Sequence, residues 1–287
     1  MKLLICTQIY DANDSDLGFF VRWVEEFKKH CEVEVISLKN LGRGGRLMRA
    51  WRLLKLVSHK EYDAVFVHMN PEYLLAVGWY WKLHGKKTSL WYTHKSVNLK
   101  LRVATWFADI IFTASKESFR LPSKKVRVMG HGIDTDLFRP DPSVVREGWW
   151  LSAGRLNKSK RHDLVIDEAA KAGKELRIAG EGPERKNLEV LAHTLGARVV
   201  FLGGVSHSQM PDLFRRAGLF RHTSETGSLD KVLLEAIACG CPIQTNNLDL
   251  KALESENPAG IFAEHSLQAL ITKIVGILQR LVVPPHP

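Results

Sequence analysis

No apolar run in this sequence reaches the roughly 20 residues that a helix needs to cross a bilayer, although 45% of its residues are hydrophobic. The apolar residues are therefore expected in buried cores rather than in membrane-spanning helices. Cysteine is scarce. Cys6, Cys31, Cys239 and Cys241 form no pair at metal-ligand spacing and read as reduced, structural thiols of a cytoplasmic protein. There is no Walker A loop, and no GxGxxG follows the first apolar run, which removes two common phosphate-binding fingerprints. Internal repeats beyond the strand–helix alternation are absent, as are low-complexity segments. Acidic residues are in deficit, 31 against 41 Lys and Arg, for a formal charge of +10. That balance favours an anionic partner: nucleic acid, acidic lipid or a phosphorylated substrate. No nucleic-acid-binding motif accompanies the charge, so no nucleic-acid partner is expected.

What is present is a regular alternation. Short apolar runs read as strands at Leu3 to Thr7, Val33 to Leu38, Ala64 to His68, Leu90 to Thr93, Ile110 to Ala114 and Val126 to Met129. A second series follows at Trp149 to Ala153, Glu175 to Ala179, Val199 to Leu202 and Leu219 to His222. Helical stretches fall between many of them, at Phe19 to His30, at Glu72 to Leu83 and at Gln209 to Ala217, and a last helix runs from about Leu267 to Leu281. The start, Met1 to Cys6, is too short for a signal peptide and belongs to the first strand. Alternation of this kind predicts α/β architecture with parallel, doubly wound sheets. The 287 residues suffice for two domains. Arg139-Pro140-Asp141-Pro142-Ser143 is a stiff polar linker, which predicts domains at 1–140 and 141–287.

Sites in such sheets lie beyond the C-terminal ends of the strands. His94 stands at one of these ends and is a candidate; the other histidines read as structural. Gly18, after the first strand, can let backbone approach a ligand closely. The preceding loop has Asp11, Asn13 and Ser15 at alternating positions, but Asp16 replaces the turn glycine of an EF-hand and Arg22 its bidentate Glu, so calcium is not expected. Between Glu34 and Glu61 there is no acidic residue. The helix in that stretch is expected to bury Leu47, Ala50, Trp51, Leu54 and Val57 and to turn Arg49, Arg52 and Lys55 outward. Such a basic face could meet an anionic membrane surface. Trp79, Tyr80 and Trp81 beside Lys86 and Lys87 suit either a core helix or a headgroup interface.

Two stretches of the second half carry chemistry. Gly154-Arg155-Leu156-Asn157-Lys158-Ser159-Lys160 places two cations on one loop after a strand, where Arg155 and Lys160 can converge on a diphosphate. Thr226 to Gly240 begins with residues that can cap a helix, carries the apolar stripe Val232, Leu233, Ala236 and Ile237, and stops at Gly240. A helix N-terminus offers unpaired N–H groups and partial positive charge to an anion. Glu235, more than a turn further in, could accept from a pair of sugar hydroxyls.

The order Gly-Arg-Leu-x-x-x-Lys at 154–160, Gly-x-Gly-Pro at 180–183 and Leu-Glu-Ala-x-Ala-x-Gly at 234–240 resembles the GT-B glycosyltransferases of the retaining, group 1 (family 4-like) family. In the first half the likeness rests on Leu17 to Phe20 and Trp91 to Ser96. It implies two Rossmann-like domains facing a cleft, with a nucleotide-diphosphate sugar as co-substrate and a glycan or lipid-linked acceptor on the first domain. Arg155 and Lys160 would stabilise the leaving diphosphate and His94 would reach the transferred sugar. Gly18, the loop at Val205, and Gly227, Ser228, Leu229, Asp230, Lys231 and Glu235 would hold the donor. No metal or other cofactor is implied: Asp134-Thr135-Asp136 sits in a segment like the family's metal-free inter-domain connection. Two features depart from the pattern. The family has Glu where this chain has Gly227, so Asp230 or Lys231 is expected to take over the sugar contact. Relatives also usually continue with a helix that crosses back onto the first domain, whereas this sequence stops at Val282 to Pro287, so the C-terminal domain is expected to be short. A sugar-nucleotide epimerase of the same fold, or an inactive nucleotide-sugar binder, would fit the same motifs.

Overall fold

The structure, a computed structural model, describes residues 1–14, 17–94, 96–224, 230–246 and 265–283. Its contacts divide the chain into two units. The first holds Met1–Ala12, Phe20–Gly132 and the C-terminal helix; the second holds the described residues of Asn13–Phe19 and Ile133–Ala263. The stiff segment at Arg139 to Ser143 thus lies inside the second unit.

The first unit is a parallel sheet of β1 (Lys2–Thr7), β2 (Glu32–Ser37), β3 (Ala64–His68), β4 (Lys87–Trp91), β5 (Ile110–Thr113) and β6 (Val126–Val128), in the order β2-β1-β3-β4-β5-β6. All five residues of β3 are buried, as a strand covered on both faces requires. Side chains alternate across it. Val65 and Val67 join a core with Leu53, Val57, Leu74, Val77, Trp81, Leu101 and Ala104. These come from α2 (Arg46–Ser58), α3 (Glu72–Leu83) and α4 (Leu99–Phe107). Phe66, on the other face, meets Phe27 of α1 (Phe19–Lys28), ring centres 5.2 Å apart.

The second sheet has the order β11-β10-β7-β8-β9, again parallel: β7 (Trp150–Ala153), β8 (Leu176–Ala179), β9 (Val199–Gly203), β10 (Leu219–His222) and β11 (Ile243–Thr245). Helices α5 (His162–Lys171), α6 (Arg185–Thr194), α7 (Met210–Arg216) and α8 (Lys231–Ala238) belong to this unit. Strand order reverses between β7 and β10, the neighbours that leave in opposite directions. That opens a crevice at their C-terminal ends. Buried Arg221 on β10 ties the sheet to α5 by two bonds to Glu168, Nε–Oε2 2.5 Å and Nη2–Oε1 2.8 Å.

The C-terminal helix α9 (Leu267–Val282) groups with the first unit. Gly132 admits it: with φ +65° and no side chain, it leaves room that a Cβ would take from Leu270 and Trp23.

One expectation fails. Helix α2 buries Leu53 and Val57, whereas Leu47 is 88% and Trp51 62% exposed. Arg52 is not on an outer basic face either; its Nη1 donates to the carbonyls of Leu41 and Arg43, 2.8 Å each. The helix is apolar on more than one side, so periodicity alone does not select a face; the sheet does.

Candidate functional site

A pocket of about 440 Å³ sits at the C-terminal ends of β7, β8 and β9 and beside α8, and every residue lining it belongs to the second unit. Its floor is three loops drawn close by glycine. Gly180 follows β8 with φ +143°, and a Cβ there would collide with the carbonyl oxygen of Gly154. Gly182 lies equally close to the carbonyl of Leu156. The N–H of Gly180 donates to Gly203 O at 2.7 Å, and that of Gly154 to Ala179 O at 3.0 Å. The Gly-Arg-Leu and Gly-x-Gly-Pro motifs are thus two faces of one close contact. Arg155 stands exposed in the lining.

Lys160 has a different setting. The loop carrying it is shaped by Asn157, whose side chain accepts from Lys160 N, and is pinned by Thr223 Oγ1, which donates to the carbonyls of Lys160 and Arg161. The Lys160 ammonium donates to Asp230 Oδ2 at 2.6 Å, and His222 Nε2 donates to the same oxygen at 2.8 Å. A carboxylate only accepts, so Nε2 carries a proton; Nδ1 lies 3.0 Å from Thr245 Oγ1. Burial pushes the Asp230 carboxyl up, but the His222 hydrogen bond and the Lys160 charge outweigh it and hold it below the ordinary carboxylate range. Asp230 is the N-cap residue of α8, yet its side chain makes no cap bond; it is committed to Lys160 and His222.

Glu235 is buried in the pocket wall, 6% exposed. His207 Nε2 donates to its Oε1 at 3.0 Å, and Lys231 Nζ lies 3.4 Å from the same oxygen. Burial raises the carboxyl's pKa, while the Lys231 charge and the His207 bond lower it; the balance favours the ionised form. His207 packs between Phe138 and Phe19, ring centres 4.8 and 5.9 Å away.

Of the residues expected from sequence, Arg155, Val205, Lys231 and Glu235 line the pocket. Lys160 and Asp230 form the ion pair beside it. Gly18 is buried, donating to Asp14 O, and its neighbour Phe19 reaches the lining. Gly227, Ser228 and Leu229, and the capping expected of the residues before Asp230, lie outside the described residues. His94 belongs to the first unit, where Nδ1 lies 2.7 Å from Ser96 Oγ. Sequence reading missed His207 and His222. The strand-end rule that selected His94 applies equally to His222, the last residue of β10.

Residues 136–278 match the family described as glycosyl transferases group 1. The chain is 36% identical over 137 residues to the D-inositol 3-phosphate glycosyltransferase of Mycobacterium bovis. It is 33% identical over 129 residues to the phosphatidylinositol N-acetylglucosaminyltransferase gpi3 subunit of Schizosaccharomyces pombe. Each match covers 42% of this chain and 28% of the relative. A solved structure of HepE from Anabaena, in complex with UDP and glucose, is similar over 97% of this chain and 99% of that one, with TM-score 0.73 and 19% identity. That likeness concerns the fold.

Proposed function

We propose that this chain, which belongs to the group 1 glycosyltransferases of the GT-B fold through residues 136–278, transfers a sugar from a nucleotide-diphosphate donor to an acceptor with retention of anomeric configuration. The observation that carries this is the buried, ionised Glu235 in a pocket that Arg155 and Lys231 share and that the Lys160–Asp230 pair adjoins. On this reading Glu235 accepts from the ribose hydroxyls, which need a charged acceptor held in place, and His207 holds it. Arg155 and Lys160 offset the charge that develops on the leaving diphosphate. Protein cations take this part, and the reading routes no step through a metal. The loop at Val205 meets the base, and His94 acts on the transferred sugar.

The acceptor belongs to the first unit, and a glycan or lipid-linked acceptor at an anionic membrane surface is the class proposed. Arg46, Arg49 and Lys55 beside exposed Leu47 and Trp51 support it, because cations attract anionic headgroups while the apolar side chains enter the interface. The association proposed is peripheral, on the inner face; among the described residues no helix is long and apolar enough to cross a membrane.

Calorimetric titration with UDP and GDP tests the donor site. UDP comes first, because it is the nucleotide bound in the HepE structure. Glu235→Ala should weaken binding by about tenfold or more, the worth of a charged hydrogen bond of roughly 1.5–3 kcal/mol. His94→Ala should bind nucleotide as the parent does, since its proposed part is in turnover. Equal affinity of parent and Glu235→Ala would refute the assignment of the pocket.

A further inference from the structure

Lys231 opens α8 with its side chain in the pocket lining. Its ammonium lies 3.4 Å from Glu235 Oε1 and 3.9 Å from the centre of the Phe19 ring. The first distance exceeds the roughly 2.7–2.9 Å of a close charged pair. The second partner is a ring face, which attracts a cation only moderately. Glu235 does not depend on this lysine for its seat, because His207 holds the same oxygen at 3.0 Å. Lys160 makes the contrast: its ammonium is 2.6 Å from an Asp230 oxygen that His222 also grips. Lys231 is therefore held less tightly than Lys160, by partners that an incoming anion could replace. Its side chain is 23% exposed, and the residue lines the pocket.

We propose that Lys231 is a ligand for an anionic group of the nucleotide donor, either a phosphate or a carboxylate on its sugar, and that donor binding draws its ammonium from Glu235 to that anion. The inference rests on the donor-site reading and deepens it. Loss of the lysine from Oε1 leaves that oxygen, still held by His207, able to accept from a ribose hydroxyl, so the two events support each other. The sequence agrees in sign. At Gly227 the chain supplies no carboxylate for sugar hydroxyls, and four residues later in the sequence it supplies an ammonium, which selects for negative charge.

The test compares the parent with Lys231→Met and Lys231→Arg. Each is titrated with the nucleoside, nucleoside monophosphate and nucleoside diphosphate of whichever base the parent binds, uracil or guanine, and with the corresponding glucose and glucuronate donors. Methionine keeps the length and loses the charge. The expected result is unchanged nucleoside affinity in Lys231→Met with a loss of about tenfold or more for the ligand carrying the anion, largely restored in Lys231→Arg. A loss already present with the mono- or diphosphate identifies phosphate as the partner. A loss confined to the glucuronate donor identifies the sugar carboxylate. Equal affinities across all ligands overturn the inference, and so does a uniform loss that includes the nucleoside, because that would make Lys231 a support of the pocket. A parent that binds neither base removes the donor site itself, and the inference falls with it.

Discussion

The strand-end regions of the two sheets, both of them parallel but with different strand orders, differ in how they hold charge. In the second unit the loops after β7 and β8 touch backbone to backbone, and the charges beside them are locked: Lys160 and His222 on Asp230, His207 on Glu235. In the first unit the loop after β4 carries an exposed His94 bonded to Ser96, and α2 offers Leu47 and Trp51 to solvent beside cations. Locked charges suit a ligand of fixed shape, because preorganised groups lose little entropy on binding. An open apolar and cationic surface suits an extended partner. The contrast teaches that the fold supplies the place and the local side chains supply the chemistry.

The largest expected effect breaks the close contact of the second unit. Gly180→Ala would drive a Cβ into the Gly154 carbonyl and force a side chain into φ +143°. Backbone strain and overpacking together should cost about 4 kcal/mol. Gly85→Ala, in the first unit, meets only the strain of φ +64°, with nothing within 4 Å of the new Cβ, and should cost about 1–2 kcal/mol. Urea denaturation of both variants measures the difference. Equal losses would mean that the glycine loops touch without being tightly constrained.

A smaller effect tests the buried polar groups beneath the site. His162 is 2% exposed, with Nδ1 3.0 Å from Ser152 Oγ and, among the described residues, no hydrogen-bond partner at Nε2. Burial, and then the Lys160 charge, push its pKa down from 6.5 to about 4. Between those values the unfolded chain binds a proton that the folded chain refuses. Stability therefore falls as pH falls from about 6.5 toward 4, and is fully present above that window. The loss by pH 4.5 should be about 2–3 kcal/mol at 1.36 kcal/mol per unit. His162→Gln should lose less stability than the parent between pH 7 and 4.5. The same slope in both would assign the acid sensitivity to other groups. Asp230 adds to the parent's acid sensitivity lower down: its depressed carboxyl contributes stability that is lost as pH falls through and below 3.8.

How much of this could be read from sequence depends on the distance over which each feature is decided. Strand β3 is a short apolar run bounded by turns, and its position was legible within a residue or two, as were β10 and α3. The glycine motifs at 154–160 and 180–183 were legible as loops after strands, because their spacing is local. The partner of Asp230 was not. Lys160 is 70 residues away, and only the strand order brings it there. That pairing changes the expectation for Asp230: a carboxylate already holding an ammonium and an imidazole is poorly placed to take over the sugar contact that Gly227 cannot make. Helix α4 is not legible in the sequence, because Leu99 to Phe107 mixes apolar and basic residues without a clean stripe. Its sharpest local signal is Asn98, whose side chain caps the helix by accepting from Leu101 N.

The smallest effect on stability, and the one that sharpens the contrast most, concerns the outer face of α2. Leu47 and Trp51 are one turn apart and exposed, and Lys55 Nζ lies 5.7 Å from the Trp51 ring centre, a turn further along the same face. Replacing both apolar residues by Ser removes little buried surface, so urea stability should stay within about 0.5 kcal/mol of the parent. If the face meets a membrane, the same double variant should lose flotation with vesicles rich in anionic lipid, and the parent's flotation should weaken as salt rises, because the cationic contribution is screened over about 8–10 Å. Parent protein that fails to float with such vesicles at low salt would leave the acceptor to be recognised without a lipid surface. A stability loss of several kcal/mol in the double variant would mean that Leu47 and Trp51 are packing residues. The open surface of the first unit would then resemble the locked one of the second, and the difference between the two units would reduce to their strand-end loops.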